Sequence, residues 1–205
     1  DDIYLENDRD LTVDEIHGKR DDGTVELKVD GNVTGKNPDS VISGSHLEAE
    51  INGNFGTPDD RMTTDIDSIK VKADNIYLNN ISDKMKINGM TAEDIDIIAR
   101  GDVSGKDVNS SNLVIRSNGH TGYEDDPLLI HVSGNVDISS VYGEVHYVNS
   151  YRKANLSEDT DKNTGQDQNS AKEPEVKPDK KPQRKPSSGK EDEKKQQGEN
   201  IPEQK

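Results

Sequence analysis

The stretch VELKVDGNV, residues 25–33, returns as LEAEINGNF at 47–55, IDIIARGDV at 95–103 and LVIRSNGHT at 113–121. In each copy the apolar residues fall at every second position: Val25, Leu27 and Val29; Leu47, Ala49 and Ile51; Ile95, Ile97 and Ala99; Leu113 and Ile115, with Ser117 closing the last run. A period of two places them on one face of a β-strand. Each run then meets a glycine beside a small polar residue, where the chain bends without a Cβ penalty. Two degenerate copies follow the same plan, IKVKADNIYL with Asn75 in the bend slot and LLIHVSGNVDI with Gly134.

The bend positions Gly31, Gly53, Asn75, Gly101, Gly119 and Gly134 lie 22, 22, 26, 18 and 15 residues apart. A recurrence near twenty residues is the mark of a stacked repeat, and twenty residues suit one circuit of a β-solenoid. The sequence therefore predicts an all-β fold, a parallel β-solenoid of about six or seven coils, with like residues stacked up a narrow core. Such a core explains an aromatic content of 3% and a supply of β-branched side chains. A β-sandwich also has alternating strands and regular turns, but its strands occupy inequivalent places and have no reason to repeat one motif. The irregular spacing after Gly101 and the additional apolar piece MKINGM (85–90) are the features that favour the sandwich. The segment VYGEVHYVNSYRK (141–153), with three of the six tyrosines, reads as a cap over the final coil.

Of the 205 residues only 27% are hydrophobic, and the mean hydropathy is −1.03, low for a uniformly packed globule. The shortfall is local. From Ala154 onward there is no aromatic residue, five of the eight prolines are present, and the sizeable apolar side chains are Leu156, Val176 and Ile201. Such a segment cannot offset the cost of ordering its backbone, roughly 1–2 kcal/mol per residue. The expected organisation is a repeat domain over 1–153 and a disordered Pro/Lys/Glu-rich tail over 154–205. Pro174, Pro178, Pro182 and Pro186 recur every fourth residue there, as in an extended spacer.

The tail holds 12 acidic and 11 basic residues, so of the chain's 42 and 26 the body keeps 30 and 15. A net charge of −16 repels phosphate backbones and anionic lipid, which argues against nucleic acid and acidic membranes as partners. With no cysteine, disulfides, thiolate metal sites and thiol catalysis are excluded. No apolar run approaches the length of a membrane-spanning helix, and direct membrane insertion is not expected. The opening DDIYLEN repeats DNIYLNN (74–80), so the chain reads as a piece that begins inside its own repeat.

The short coils ending in GNV, GNF or GDV, with the leading phrases DDIYLEND and DNIYLNNI, resemble the filamentous-haemagglutinin-like large exoproteins of bacteria, over residues 1 to about 150. The resemblance implies a right-handed β-helix and a non-enzymatic adhesin segment, secreted or on the bacterial cell surface. It implies host or neighbouring-cell glycans or proteins as partners, and an outer-membrane secretion partner for the full-length protein. No secretion-domain signature is visible, so the resemblance implies shaft or C-terminal passenger.

Arg100-Gly101-Asp102 matches the integrin-binding signature that some such adhesins carry, and is the one candidate receptor contact by motif. The plainer reading is that Gly101 and Asp102 fill a bend slot like Gly31-Asn32 and Gly53-Asn54. Asp65-x-Asp67 and Asp94-x-Asp96 have the types and spacing to project two carboxylates from one strand face, as glycan-cleaving solenoids require. In a chain with 42 acids such pairs arise freely. Asn-x-Ser/Thr occurs at Asn32, Asn80, Asn109 and Asn155, no more often than composition explains. The tail phrase EDTDKNTGQD fails as an EF-type calcium loop, because its glycine comes one place late and no Glu closes it. The five histidines are scattered and read as solvent-facing, and no catalytic, cofactor or metal constellation emerges. The loops 34–40, 56–65 and 117–127 are the places for contact residues. Three functions remain open: a binding shaft, a solenoid-type polysaccharide lyase or hydrolase, and a purely structural surface spacer.

Overall fold

The computed structural model describes residues 2–151. The expected tail, 154–205, lies outside the described residues. Between Ile3 and Asn149 every named element is a strand. The first coil carries β1 (Ile3–Asn7), β2 (Leu11–Val13) and β3 (Glu15–His17); the second adds β4 (Thr24–Val29) and β5 (Val33–Gly35). Next come β6 (Val41–Ile51), β7 (Asn54–Phe55), β8 (Met62–Lys72) and β9 (Asn75–Asn80), of which β6 and β8 each run from one coil into the next. The upper coils hold β10 (Lys84–Thr91), β11 (Asp94–Ala99), β12 (Asp102–Gly105), β13 (Val108–Ser110) and β14 (Asn112–Ser117). β15 (Leu128–Val132), β16 (Val136–Ser140) and β17 (Tyr147–Asn149) complete the stack.

Each pairing between these strands is parallel, and together they make a parallel β-solenoid of about seven turns. The sandwich alternative, which needs opposed antiparallel layers, does not describe this chain. Like stacks on like. On the first side Ile3, Val25, Leu47, Ile69 and Ile87 lie in register, and beside them Leu5, Leu27, Ala49 and Val71. On the second side the row is Leu11, Val33, Phe55, Ile76, Ile95, Leu113 and Val136. These rows are the core, and the alternation that reveals them in the sequence is the alternation that buries them. Phe55, the one phenylalanine, is completely buried between Val33 and Ile76. Elsewhere the narrow interior is filled mainly by aliphatic side chains and three methionines, with Thr64, Asn80, Ser117 and Thr121 the most deeply buried polar ones.

The coils are not equal in length, which explains the irregular spacing. From Ile3 through Val25 and Leu47 to Ile69 each step is 22 residues, but Ile69 to Ile87 is 18. The shortening begins at β9. Its first residues stack on β7 while Leu78–Asn80 pair with Met62–Thr64 of β8, so the second and third sides fuse. MKINGM is no extra strand: it lies within β10, whose register slips at Asn88 so that Met90 still sits over Val71. Nor do residues 141–151 cap the coil, 152 and 153 lying outside the described residues: Tyr147–Asn149 continue the first side as its last described strand, Thr121 bridges Val145, and Val141 and Tyr142 are exposed.

Candidate functional site

The six bend positions divide between two corners of the coil. Gly31 sits over Arg9, Gly53 over Gly31, and Gly134 over Ser111, all at the corner that precedes the second side. Asn75 is one residue past that slot, which Asp74 fills by donating its N–H to the Gly53 carbonyl. Gly101 and Gly119 belong to the other corner, with Gly101 over Asp83 and Gly119 over Gly101.

The first corner carries a ladder of side chains along the whole stack. Asp10 Oδ1 accepts the Asn32 N–H (2.7 Å), Asn32 Oδ1 the Asn54 N–H (2.9 Å) and Asn54 Oδ1 the Asn75 amide (2.9 Å). Asn75 Oδ1 accepts the Asp94 N–H (3.1 Å), Asp94 Oδ1 the Asn112 amide (2.8 Å) and Asn112 Oδ1 the Asn135 N–H (3.2 Å). Stacked Asn and Asp repay the turn's orphaned backbone donors coil by coil. Asn54→Ala removes one rung, leaving the half-buried Asn75 amide short of its acceptor. A loss of about 1 kcal/mol is expected in urea unfolding, and Asn54→Asp, which keeps an acceptor there, should recover most of it.

At the second corner Asp102 is the rung. Its Oδ1 accepts the His120 N–H (2.8 Å), and its Oδ2 the Tyr123 hydroxyl (2.8 Å), a bond that pushes the Tyr123 phenol above its ordinary range. Arg100 is exposed, 3.2 Å from Asp83. The tripeptide Arg100-Gly101-Asp102 thus lies at a coil bend, with both oxygens of its carboxylate engaged within the fold. It also borders an open groove of about 530 Å³, which Asp65, Asp67, Arg20 and Lys84 line from the preceding coils. Two motifs read separately in the sequence therefore meet in space. Within the groove Arg20 pairs with Asp65, and Asp67 accepts the Ser82 hydroxyl (2.7 Å) with Lys84 at 3.6 Å.

Asp94 and Asp96 are elsewhere, on β11. Asp94 is a rung of the first ladder. Asp96 lies 2.5 Å from Arg61 and 3.3 Å from Arg116 and is in register with Tyr77, whose phenol is raised chiefly by burial and further by Asp94 and Asp96. None of Arg20, Arg61 or Lys84 is visible as a partner in the sequence, because the pairs join residues on different coils, Arg20 and Asp65 being 45 apart.

The loops are shorter than the sequence suggests. Met62–Asp65 belong to β8, Thr34 and Gly35 to β5, and Ser117 to β14, which leaves 36–40, 56–61 and 118–127 as projecting segments. Of the glycosylation sequons, Asn80 is fully buried and closed to modification in the folded chain, Asn32 is a ladder rung, and Asn155 lies outside the described residues. His131 is exposed on β15 and packs edge-on to Tyr151; His146 is bonded to Glu144, whose carboxyl it holds below the usual range. The calcium-like phrase of the tail is outside the described residues, among which no group of three or more His, Asp or Glu is placed to hold a metal ion. Comparison with protein-family models, with curated proteins and with solved structures finds no match to this chain.

Proposed function

We propose that this chain is a non-enzymatic adhesin segment of a bacterial surface or secreted protein, a solenoid shaft that presents loops and flat faces to glycans or proteins of host or neighbouring cells. One observation carries the reading: the carboxylates that an enzyme would use are spent on holding coils together. Asp65 is tied to Arg20, Asp96 to Arg61 and Arg116, and Asp94 and Asp102 are ladder rungs. A stack built this way is a rigid scaffold, and rigid scaffolds carry recognition on the loops they display. The filamentous-haemagglutinin-like resemblance, and with it an outer-membrane secretion partner for the full-length protein, belongs to the same proposal.

A second reading, cleavage of a polysaccharide, is favoured by the convergence of Asp65, Asp67, Asp83 and Asp102 on one open groove. A spacer that only separates other parts of a longer protein would share the fold but bind nothing. The three are separated by adhesion of the full chain to cultured cells and by a glycan array. The comparison is a variant with Thr57, Pro58, Asp59 and Asp60 replaced by Gly and Ser, which spares β8 and Arg61. Adhesion that falls in the variant supports the binding shaft. Absence of binding to any surface overturns it in favour of the spacer, and new reducing ends released from pooled polysaccharides overturn it in favour of the enzyme.

A further inference from the structure

Among the described residues, each lysine or arginine that lies in a strand has a carboxylate partner except one. Lys28 pairs with Glu26, Lys70 with Glu48, Lys72 with Glu50, Lys84 with Asp67 and Arg116 with Asp96, while Lys86 has none. In a body with twice as many acids as bases, a cation left without an acid is the exception. Lys86 is exposed on β10 and borders a groove of about 640 Å³, open to solvent, which adjoins the Asp65 groove through Arg20, Asp67 and Lys84.

The register of the coils orders the floor of this groove. His46, Ser68, Lys86 and Ser104 stand directly over one another, three steps of about 4.8 Å or roughly 14 Å along the axis. Asn88 donates to the Ser68 hydroxyl (2.6 Å), which keeps its own proton for another acceptor. Arg20 and Lys84 line the groove too, each paired with an acid; of the two acids in the lining, Asp67 is shared between Ser82 and Lys84, and Asp21, exposed, makes no ion pair with Lys86. The result is a strip of hydroxyl and amide groups with an unpaired ammonium at its centre.

Resting on the binding reading above, the geometry points to this groove as the site for a glycan carrying spaced carboxylates. One carboxylate sits on Lys86, and sugar hydroxyls exchange hydrogen bonds with Ser68, Asn88 and Ser104. Charge complementarity selects the acid sugar over a neutral one, since a charged donor facing a carboxylate makes the stronger bond. The body's overall negative charge disfavours glycans that carry more than one charge per sugar, which it would repel more strongly. An acidic peptide would satisfy Lys86 but leave the strip of hydroxyls without matching partners at each coil.

The test is calorimetric titration of the full chain with tetragalacturonate, cellotetraose and tetraglutamate. Three forms are compared: the unchanged protein, Lys86→Met, and Lys28→Met as a control for loss of charge on β4, outside this groove. The expected result is binding of tetragalacturonate alone, weakened at least about tenfold by Lys86→Met, unchanged by Lys28→Met, and weakened by added salt. Equal binding of cellotetraose, binding of tetraglutamate in its place, indifference to Lys86→Met, or no binding of any of the three overturns the assignment. If the groove fails in this way while adhesion still depends on the 57–60 loop, the binding shaft stands and the groove alone is lost. If tetragalacturonate binds through Lys86 but the full chain adheres to no cell, the groove stands and the adhesive reading is lost.

Discussion

Asn80→Leu is expected to lower the unfolding free energy by about 4 kcal/mol, read as a shift in the urea midpoint followed by circular dichroism. Asn80 is completely buried, at the point where the second and third sides of the coil fuse. Its amide does the work of a missing strand: Oδ1 accepts the Ile66 N–H (3.2 Å) and Nδ2 donates to the Ile66 carbonyl (3.2 Å), while Oδ1 also accepts the Thr64 hydroxyl (2.9 Å). Leucine fills the same space and satisfies none of these. Two backbone groups and a hydroxyl are then buried without partners, each at about 1–3 kcal/mol. Adding Thr64→Val removes one orphan and should return about 1 kcal/mol. Asn80→Asp is informative in a different way, since it keeps the acceptor, loses the donor to Ile66 and buries a charge; it should destabilise at neutral pH and less so in acid. Exposed-face changes such as Asn79→Ala should stay within about 0.5 kcal/mol. The same device recurs at Asn149, whose amide brackets the N–H and carbonyl of Val132 at 3.1 and 3.0 Å.

Asn80 also marks the limit of what the sequence discloses. The alternation of Val25, Leu27 and Val29 with polar neighbours is a one-dimensional signal, and it correctly sorts inward from outward residues because strand geometry has the same period. The parallel stack follows from the repetition of that signal. Bends are harder. Two corners of the coil use glycine for the same reason, close backbone approach from the coil below, so Gly31 and Gly101 look alike in sequence while lying on different edges. Asn75 and its neighbour Asp74 are both small and polar, and only the register of Asn54 with Asn75 decides which of them turns the corner. Asn80 stands in one of the sequons that composition alone explains, and nothing in Asn-Ile-Ser tells that β9 will run out over Ile66. The groove is less visible still: Asp65 and Asp67 are legible as a pair, but Arg20, Lys84 and Arg100 reach them from three other coils. Long-range partners become readable only once the coil lengths are known, and here those change from 22 to 18 residues midway up the stack.

Gly105→Ala is the second substitution expected to cost about 4 kcal/mol, for a reason opposite to that of Asn80→Leu. Gly105 has φ near +118°, outside the region open to residues with a side chain. A Cβ built there would lie 2.0 Å from the Ile87 carbonyl oxygen and 2.7 Å from its nitrogen, both backbone atoms of the coil below. The oxygen has no room to retreat, because it also accepts the Lys106 N–H at 2.9 Å, and the neighbouring bend is fixed by the bond from Met90 N–H to the Asp107 carbonyl at 3.0 Å. Backbone strain of about 1–3 kcal/mol therefore adds to a similar overpacking penalty. Gly44→Ala supplies the contrast. It lies within β6, its φ is not positive, and an added methyl would meet the Gly18 Cα at 3.5 Å, an ordinary contact. Restricting the unfolded chain there should stabilise the protein by about 0.5 kcal/mol. If both alanines proved neutral, the upper coils could not be stacked as closely as the Ile87–Gly105 register requires. If both were costly, the strand at Gly44 would be packed more tightly than its surroundings indicate. Opposite signs, with the loss at Gly105 several times the gain at Gly44, are what a column held together backbone on backbone demands.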